Sequence, residues 1–285
     1  MSRRRRGRNG SSDFTGQVVV ITGAGSGIGR ATAMLFARLG ATVHVVDLDP
    51  GAADAVREEI ERRGGQAVAH GVDCSDAAAV EALAERVFSE DPAVDVLHNN
   101  AGVGHAGAVD ETTLEDWLRV LGVNLMGTVY CVHTFVPRLL RQGRPAHIVN
   151  TASGLGLVVA AEMAPYTTSK FAVVGLSEAL NAELAPRGIH VTALCPGIIN
   201  TPIVNTAILR GDAVDRAERG REFYRTRGAT PDVVAEAVAD AVRRKRLIQT
   251  VPRLHVDPAW ILRRISPRAA NLLARRMPQL LSGGR

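Results

Sequence analysis

Residues 17–47 read QVVVITGAGSGIGRATAMLFARLGATVHVVD. Val18 to Ile21 is a run of β-branched residues ended by glycine, the pattern of a short strand buried on both faces. The next stretch, IGRATAMLFARLG, spaces its apolar residues as a helix does and closes on Gly40. ATVHVVD is a second strand. Strand, helix and strand in this order form a right-handed βαβ unit with its two strands parallel. Between the first strand and the helix lies TGAGSGIG, Thr22 to Gly29. Gly23, Gly27 and Gly29 allow a sharp turn, close approach by a pyrophosphate and tight packing of helix on strand. Ser26, Gly27 and Ile28 open the helix, whose first N–H groups face an anion. The spacing is Gly-x-x-x-Gly-x-Gly, and its place between strand and helix marks a dinucleotide cradle. Eighteen residues beyond Gly29, Asp47 ends the second strand. A carboxylate there accepts hydrogen bonds from ribose hydroxyls and repels a 2′-phosphate. Leu48 and Asp49 supply no cation, so the reading favours NAD over NADP.

The alternation continues outward. Helix AADAVREEIERRGG, strand QAVAHGV, helix DAAAVEALAERVF and strand VDVLHNNAG come next. A helix from about Leu114 to Arg141, strand AHIVNTAS, a helix from Tyr166 to Leu184 and strand IHVTALCPG then complete the series. Strict alternation predicts a doubly wound α/β domain of the Rossmann type, a parallel sheet with helices on both faces. One domain over residues 14–252 is expected, since no Gly-, Pro- or Ser-rich linker divides it. Residues 198–229 read as helical fragments without a strand, an insertion that covers a site. Thr230 and Pro231 open a further helix, and LIQTVP is the last strand.

Composition narrows the class. The chain has 285 residues, 46% hydrophobic and 22% charged, which fits a soluble globular protein with a sizeable core. No run of eighteen apolar residues occurs. The net charge of +5 is unevenly spread: residues 1–13 carry +4, residues 241–285 carry +10 and the middle carries −9. MSRRRRGRNGSSD has no apolar run after it, so residues 1–13 read as a disordered basic tail and not as an export signal. No aromatic is interleaved with its arginines and no DNA-binding motif follows, so nucleic acid is not expected. Cys74, Cys131 and Cys195 are scattered without metal-ligand spacing, which points to buried thiols in a reducing, cytoplasmic setting with no metal.

Further along, APYTTSKFAVVGL at 164–176 places Tyr166 and Lys170 four positions apart on a helix, where phenol and ammonium share a face. The spacing alone also fits a partly buried ring beside a snorkelling cation. However, the chain has 34 basic side chains and only Lys170 and Lys245 are lysines, so this position asks for a compact ammonium. A tyrosine with an ordinary pKa near 10 needs about 3 units, roughly 4 kcal/mol, of phenolate stabilisation to work as a base near pH 7. A neighbouring ammonium and a positively charged nicotinamide in a dry cleft can supply that.

Taken with NNAG at Asn99 to Gly102, Asn124, Ser153 thirteen residues before Tyr166, and PGIINT at Pro196 to Thr201, these motifs resemble the short-chain dehydrogenase/reductase family over roughly residues 14–250. The resemblance implies that Ser153 hydrogen-bonds the substrate oxygen and that Tyr166 gives or takes its proton. Lys170 would bind the nicotinamide ribose and lower the phenol's pKa, and Asn124 would hold a water in the proton relay. Asp73 would face the adenine, while Asn100, Ala101 and Gly102 would line the cofactor. The Ile199 backbone and Thr201 would fix the carboxamide, with Pro196 and Gly197 beside them. It also implies a homodimer or homotetramer through the helices at 114–141 and 166–184.

The segment GLGLVVAAEMAP between Ser153 and Tyr166 should form a pocket wall, and only Glu162 in it is charged. An apolar alcohol or ketone, lipid-, steroid- or terpenoid-like, is therefore the expected substrate. His105 fits a surface loop better than a substrate contact. No nucleophile-elbow sequence surrounds Ser153, which argues against a hydrolase. A non-catalytic NAD-sensing protein of the same fold is the first alternative to the NAD-dependent alcohol dehydrogenase or carbonyl reductase. A sugar-nucleotide epimerase or dehydratase is the second, and only about ninety residues follow Gly197 to build its larger substrate domain. Residues 253–285 form a basic amphipathic extension, with Trp260, Ile261, Ile265, Leu272 and Leu273 set among arginines. It fits peripheral contact with an anionic membrane, or packing over the pocket or a neighbouring subunit.

Overall fold

The computed structural model of the chain describes residues 14–276. The expected basic tail at 1–13 and the end of the C-terminal extension at 277–285 lie outside the described residues. The first half alternates β1 (Val18–Thr22), α1 (Gly27–Arg38), β2 (Thr42–Asp47), α2 (Pro50–Arg62), β3 (Gln66–Gly71), α3 (Ala77–Glu90) and β4 (Val96–Asn99). A two-residue β5 (His105–Ala106), α4 (Leu114–Leu121), α5 (Gly127–Arg141), β6 (Ala146–Thr151), α6 (Ala164–Leu184) and β7 (Ile189–Pro196) follow. The covering segment holds α7 (Ile203–Thr206), β8 (Ile208–Leu209), α8 (Asp212–Asp215) and α9 (Ala217–Arg227). The described chain closes with α10 (Pro231–Arg244), β9 (Ile248–Val251), α11 (Arg253–Ile265) and α12 (Pro267–Ala274).

Seven parallel strands form the sheet in the order β3-β2-β1-β4-β6-β7-β9. Successive side chains of a strand point to opposite faces. Val19 and Ile21 of β1 therefore join Phe36 of α1 and Val238 of α10, while Val18 and Val20 join Leu83 of α3 and Phe135 of α5. All five residues of β1 are buried, which is why its sequence is continuously apolar. The strand order reverses at β1, between β2 and β4, the place where open α/β sheets bind ligands outside the carboxyl ends of their strands.

Two elements differ from expectation. The single helix expected over 114–141 is broken by a π turn at Gly122–Met126, which adds a residue to the repeat and carries Asn124. By length and apolarity Leu114–Arg141 could cross a membrane, yet it lies on the sheet with Cys131, Phe135 and Leu139 buried. The covering segment is not free of strands: β8 pairs with β5, and Ile208 N–H donates to Gly104 O at 3.0 Å. Two residues are too few to show a period in sequence. An isolated bridge between Ile199 and Ala229 zips the two ends of the segment together. All three cysteines are buried and unpaired.

Several histidines are buried in the body of the domain. His44 Nε2 bonds Asp91 Oδ2 at 2.8 Å, and His44 Nδ1 faces His70 Nε2 at 2.9 Å. The two rings are 15° from parallel with centroids 5.2 Å apart. Burial holds His70 down to about 4, with His44 and Arg86 adding to it. Burial also holds His98 and, with His190 and Lys245, His147 down to about 3. In the unfolded chain each titrates near 6.5. Between these values the unfolded chain binds more protons, so stability is complete above about pH 6.5 and is lost as pH falls toward 4 and 3. Urea unfolding at pH 5 should show roughly 2 kcal/mol less stability per histidine than at pH 7. A His98→Gln variant should flatten that slope by about one proton, and an unchanged slope would refute the account.

Candidate active site

The cradle is built where β1 turns into α1. Gly23 and Gly27 adopt left-handed φ values of +63° and +53°, and a Cβ on Gly29 would lie 2.2 Å from Gly23 O. Only glycine fits these positions. The turn is held from β4: Thr22 Oγ1 accepts from the N–H groups of Asn100 and Ala101 at 2.9 and 3.0 Å. Asn100 Nδ2 donates to Thr22 O at 3.0 Å and to Gly23 O at 3.1 Å. Ser26 stands at the N-cap of α1 with no side-chain cap bond, so Ile28 and the first turn present their amides to the crevice. Asp47 Oδ2 accepts from Gly25 N–H at 2.8 Å and Oδ1 from Asp49 N–H at 3.1 Å, which leaves lone pairs on both oxygens. Next to it Leu48 is 70% exposed. Asp73 is exposed just past β3, where its Oδ1 accepts from Ser75 N–H at 2.8 Å. Thr201 reaches over the glycine turn, and its Cβ would be 3.3 Å from a Cβ on Gly27. Pro196 ends β7, Gly197 N–H donates to Val251 O at 2.8 Å, and Ile199 is buried. An uncapped helix start, a cradle without room for Cβ atoms and a carboxylate at the second strand together fit the pyrophosphate and ribose of a dinucleotide.

Beside the cradle stand the groups expected to act on substrate. Ser153 follows β6 and accepts from Leu155 N–H at 3.1 Å through Oγ. The Ser153 side chain is near enough to the Tyr166 phenol to lower its pKa. Lys170, one turn along α6, is 3% exposed, donates from Nζ to Thr151 O at 2.9 Å and lies 5.6 Å from the Tyr166 ring centroid. Ser153, Tyr166 and Lys170 are thus brought together from β6 and α6. Asn124 joins them from the π turn. Its Nδ2 protons go to Val103 O at 3.0 Å and Ser169 Oγ at 3.1 Å, and its Oδ1 takes Val103 N–H at 2.8 Å. Through these bonds the side chain braces the loop after Gly102.

Burial sets the ionisation of this group. It pushes Tyr166 up to about 12, opposed by the Ser153 side chain and aided by Tyr224. It brings Lys170 down to about 8, with Cys195 opposing, and pushes Cys195 up to about 12. In the protein alone, desolvation of the phenolate thus holds the phenol above its ordinary value.

Other residues here were not legible in sequence. Tyr224 arrives from α9, in an arginine-rich stretch with no motif, close enough to act on Tyr166. Arg210 binds Asp116 through two bonds of 2.8 and 2.7 Å, and Arg216 donates to Glu162 Oε2 at 2.5 Å. The one charge of the pocket wall is therefore spent on tying down the covering segment. His105 is not a surface-loop residue. It is 1% exposed on β5, beside the Asp116 and Arg210 pair, and burial lowers its pKa.

Comparison with known proteins places the chain. Residues 17–209 match the short chain dehydrogenase family, and the chain belongs to it. It is 39% identical over 269 residues to the probable oxidoreductase EphD of Mycobacterium tuberculosis, which covers 92% of this chain but 45% of that one. The chain thus spans about half the length of that relative. It is also 39% identical over 251 residues to the cyclohexanol dehydrogenase of an Acinetobacter species, covering 88% of this chain and 97% of the other. Among solved structures, a short chain dehydrogenase/reductase from Burkholderia phymatum in complex with NAD superposes with a TM-score of 0.85 at 32% identity, covering 90% and 96% of the two chains.

If Asn124 is a brace, Asn124→Ala should orphan the amide and carbonyl of Val103 and destabilise the fold by about 3 kcal/mol. Urea unfolding checks this, and a loss of activity without a stability loss would overturn the bracing account.

Proposed function

We propose that the protein is an NAD(H)-dependent oxidoreductase that interconverts an apolar alcohol and its carbonyl compound. The observation that carries this reading is the convergence of Ser153, Tyr166 and Lys170 beside the glycine cradle. Gly23, Ser26, Gly27, Ile28 and Gly29 would hold the pyrophosphate. Asp47 would hold the adenosine ribose with Asp73 near the adenine, and Asn100, Ala101 and Gly102 would line the nicotinamide half. Lys170 would take the nicotinamide ribose, and Pro196, Gly197, Ile199 and Thr201 would hold the carboxamide side. When bound, the nicotinamide supplies or accepts the hydride at the substrate carbon. Ser153 hydrogen-bonds the substrate oxygen. Tyr166 donates its phenolic proton to that oxygen in reduction and takes it back in oxidation.

A phenol held near 12 is protonated at pH 7, the form needed for reduction. Oxidation requires its proton to leave, so the Lys170 ammonium, which is lost as pH rises past about 8, has to supply positive charge. The wall after Ser153 is apolar once Glu162 is paired with Arg216, and a relative named for cyclohexanol supports an apolar substrate. Exposed Leu114, Leu118 and Met126, on α4 and the adjoining π turn, support a homodimer or homotetramer through that face.

An NAD-linked absorbance screen over alcohols of graded ring number should show turnover with NAD and a preference for apolar members. A preference for sugars or short charged hydroxy acids would count against the substrate class. Tight NAD binding with no turnover would favour a sensing role. Tyr166→Phe should lower kcat by about 10²–10⁴-fold and leave NADH binding, read by its fluorescence, in place. Asp47→Ser should narrow the NAD to NADP preference by at least about tenfold; an unchanged ratio would remove Asp47 as the selector.

A further inference from the structure

The extension after β9 has two faces that do different things. Inward, Val256 is 1% exposed against Gly154 and Gly197, and Trp260 packs on the cluster of Leu157 and Val173. Arg263 donates to Leu157 O at 2.7 Å and stacks 4.4 Å from the Phe171 ring centroid. Ala161 N–H donates to Ala274 O at 3.2 Å. These contacts fix α11 and α12 to the outside of the pocket wall.

Outward, Leu254, Ile261 and Ile265 are 87%, 54% and 78% exposed. At about 100° per residue, these three and exposed Pro258 fall within an arc of about 60°. Arg253 and Arg264 run along one flank of the stripe, eleven residues apart. On α12, Leu272 and Leu273 are 60% and 42% exposed, with exposed Arg268, Arg275 and Arg276 nearby. Residues 253–276 hold six arginines and a single acid, Asp257, which pairs with Arg253. Leaving large apolar side chains in water costs solvation that polar residues would avoid, and the inner face already anchors the helix. The outer stripe needs its own partner.

Charge selects the partner. A two-fold contact of this face with itself would set two rows of arginines against each other. A nucleic acid would match the arginines and leave the isoleucines and leucines exposed. A surface that is apolar below and anionic above satisfies both, with the apolar stripe sunk among acyl chains and the arginines at the headgroups. We propose that the outer face of α11 and α12 docks the protein on an anionic lipid bilayer. This does not depend on the chemistry proposed above.

Vesicle flotation of the full chain tests it, using phosphatidylcholine with about a quarter phosphatidylglycerol, and phosphatidylcholine alone, at about 0.1 M and 0.5 M salt. Binding is expected to the anionic vesicles and to be at least about tenfold weaker on neutral vesicles and at high salt. The double variant Ile261→Ser and Ile265→Ser alters only exposed positions, and circular dichroism checks its fold. It should weaken anionic binding by about tenfold or more. Arg264→Gln with Arg268→Gln should do the same and reduce the salt dependence. Anionic binding untouched by the serine pair would assign the attraction to arginines elsewhere, such as those at 1–13, and overturn the proposal. So would an absence of anionic binding, including the case where the serine pair instead abolishes self-association in solution.

Discussion

Side chains, not the β-ladder alone, bind the carboxyl ends of β1, β4 and β6 to one another. Where parallel strands run out, their last amides and carbonyls still need partners. Thr22 Oγ1 and Asn100 Nδ2 supply them between β1 and β4, at distances of 2.9 to 3.1 Å. Asn99 Nδ2 donates to Asn150 Oδ1 at 2.8 Å, and Asn150 Nδ2 continues to Ser177 Oγ on α6 at 3.0 Å. Lys170 Nζ closes the set on Thr151 O. Because these buried groups hydrogen-bond one another, with Asn99 Oδ1 left without a partner, the glycine turn and the Ser153, Tyr166 and Lys170 cluster hold fixed positions relative to each other. That is the preorganisation a reactive site needs.

The same burial shapes the site's electrostatics. It leaves Tyr166 a neutral phenol and Lys170 an ammonium with little margin at neutral pH. Neither group can be charged cheaply in the cleft, so the reactive ionisation state depends on charge brought by what binds there. The pocket is also edged by long-range ties. The bidentate Arg210 and Asp116 pair, the Arg216 and Glu162 pair and the β5–β8 strands hold the covering segment to the body. Behind the wall, α11 adds Val256, Trp260 and Arg263. The wall is thus braced on both sides by elements distant in sequence.

The doubly wound sheet was readable from residues 17–47 outward, because strand and helix periods and a glycine turn are local patterns. Gly23, Gly27, Gly29 and Asp47 were readable for the same reason, as was the Tyr166 and Lys170 pair, whose meeting needs only helix geometry. The π turn around Asn124 was not. A π turn of five residues is too short for its phase shift to stand out in the apolar spacing, yet it decides which way the asparagine faces. Tyr224, Asp116 and the burial of His105 were hidden too, since each depends on a partner dozens of residues away.

By itself, then, the sequence determined the order of strands and helices, the place of the dinucleotide cradle and the candidates for proton transfer, all properties carried within one or two turns of chain. Tertiary structure alone decided the burial of Lys170, the partners of the Asn124 side chain, and which face of α11 is buried and which faces solvent. These depend on desolvation and on contacts between distant segments, and neither is encoded in any local spacing.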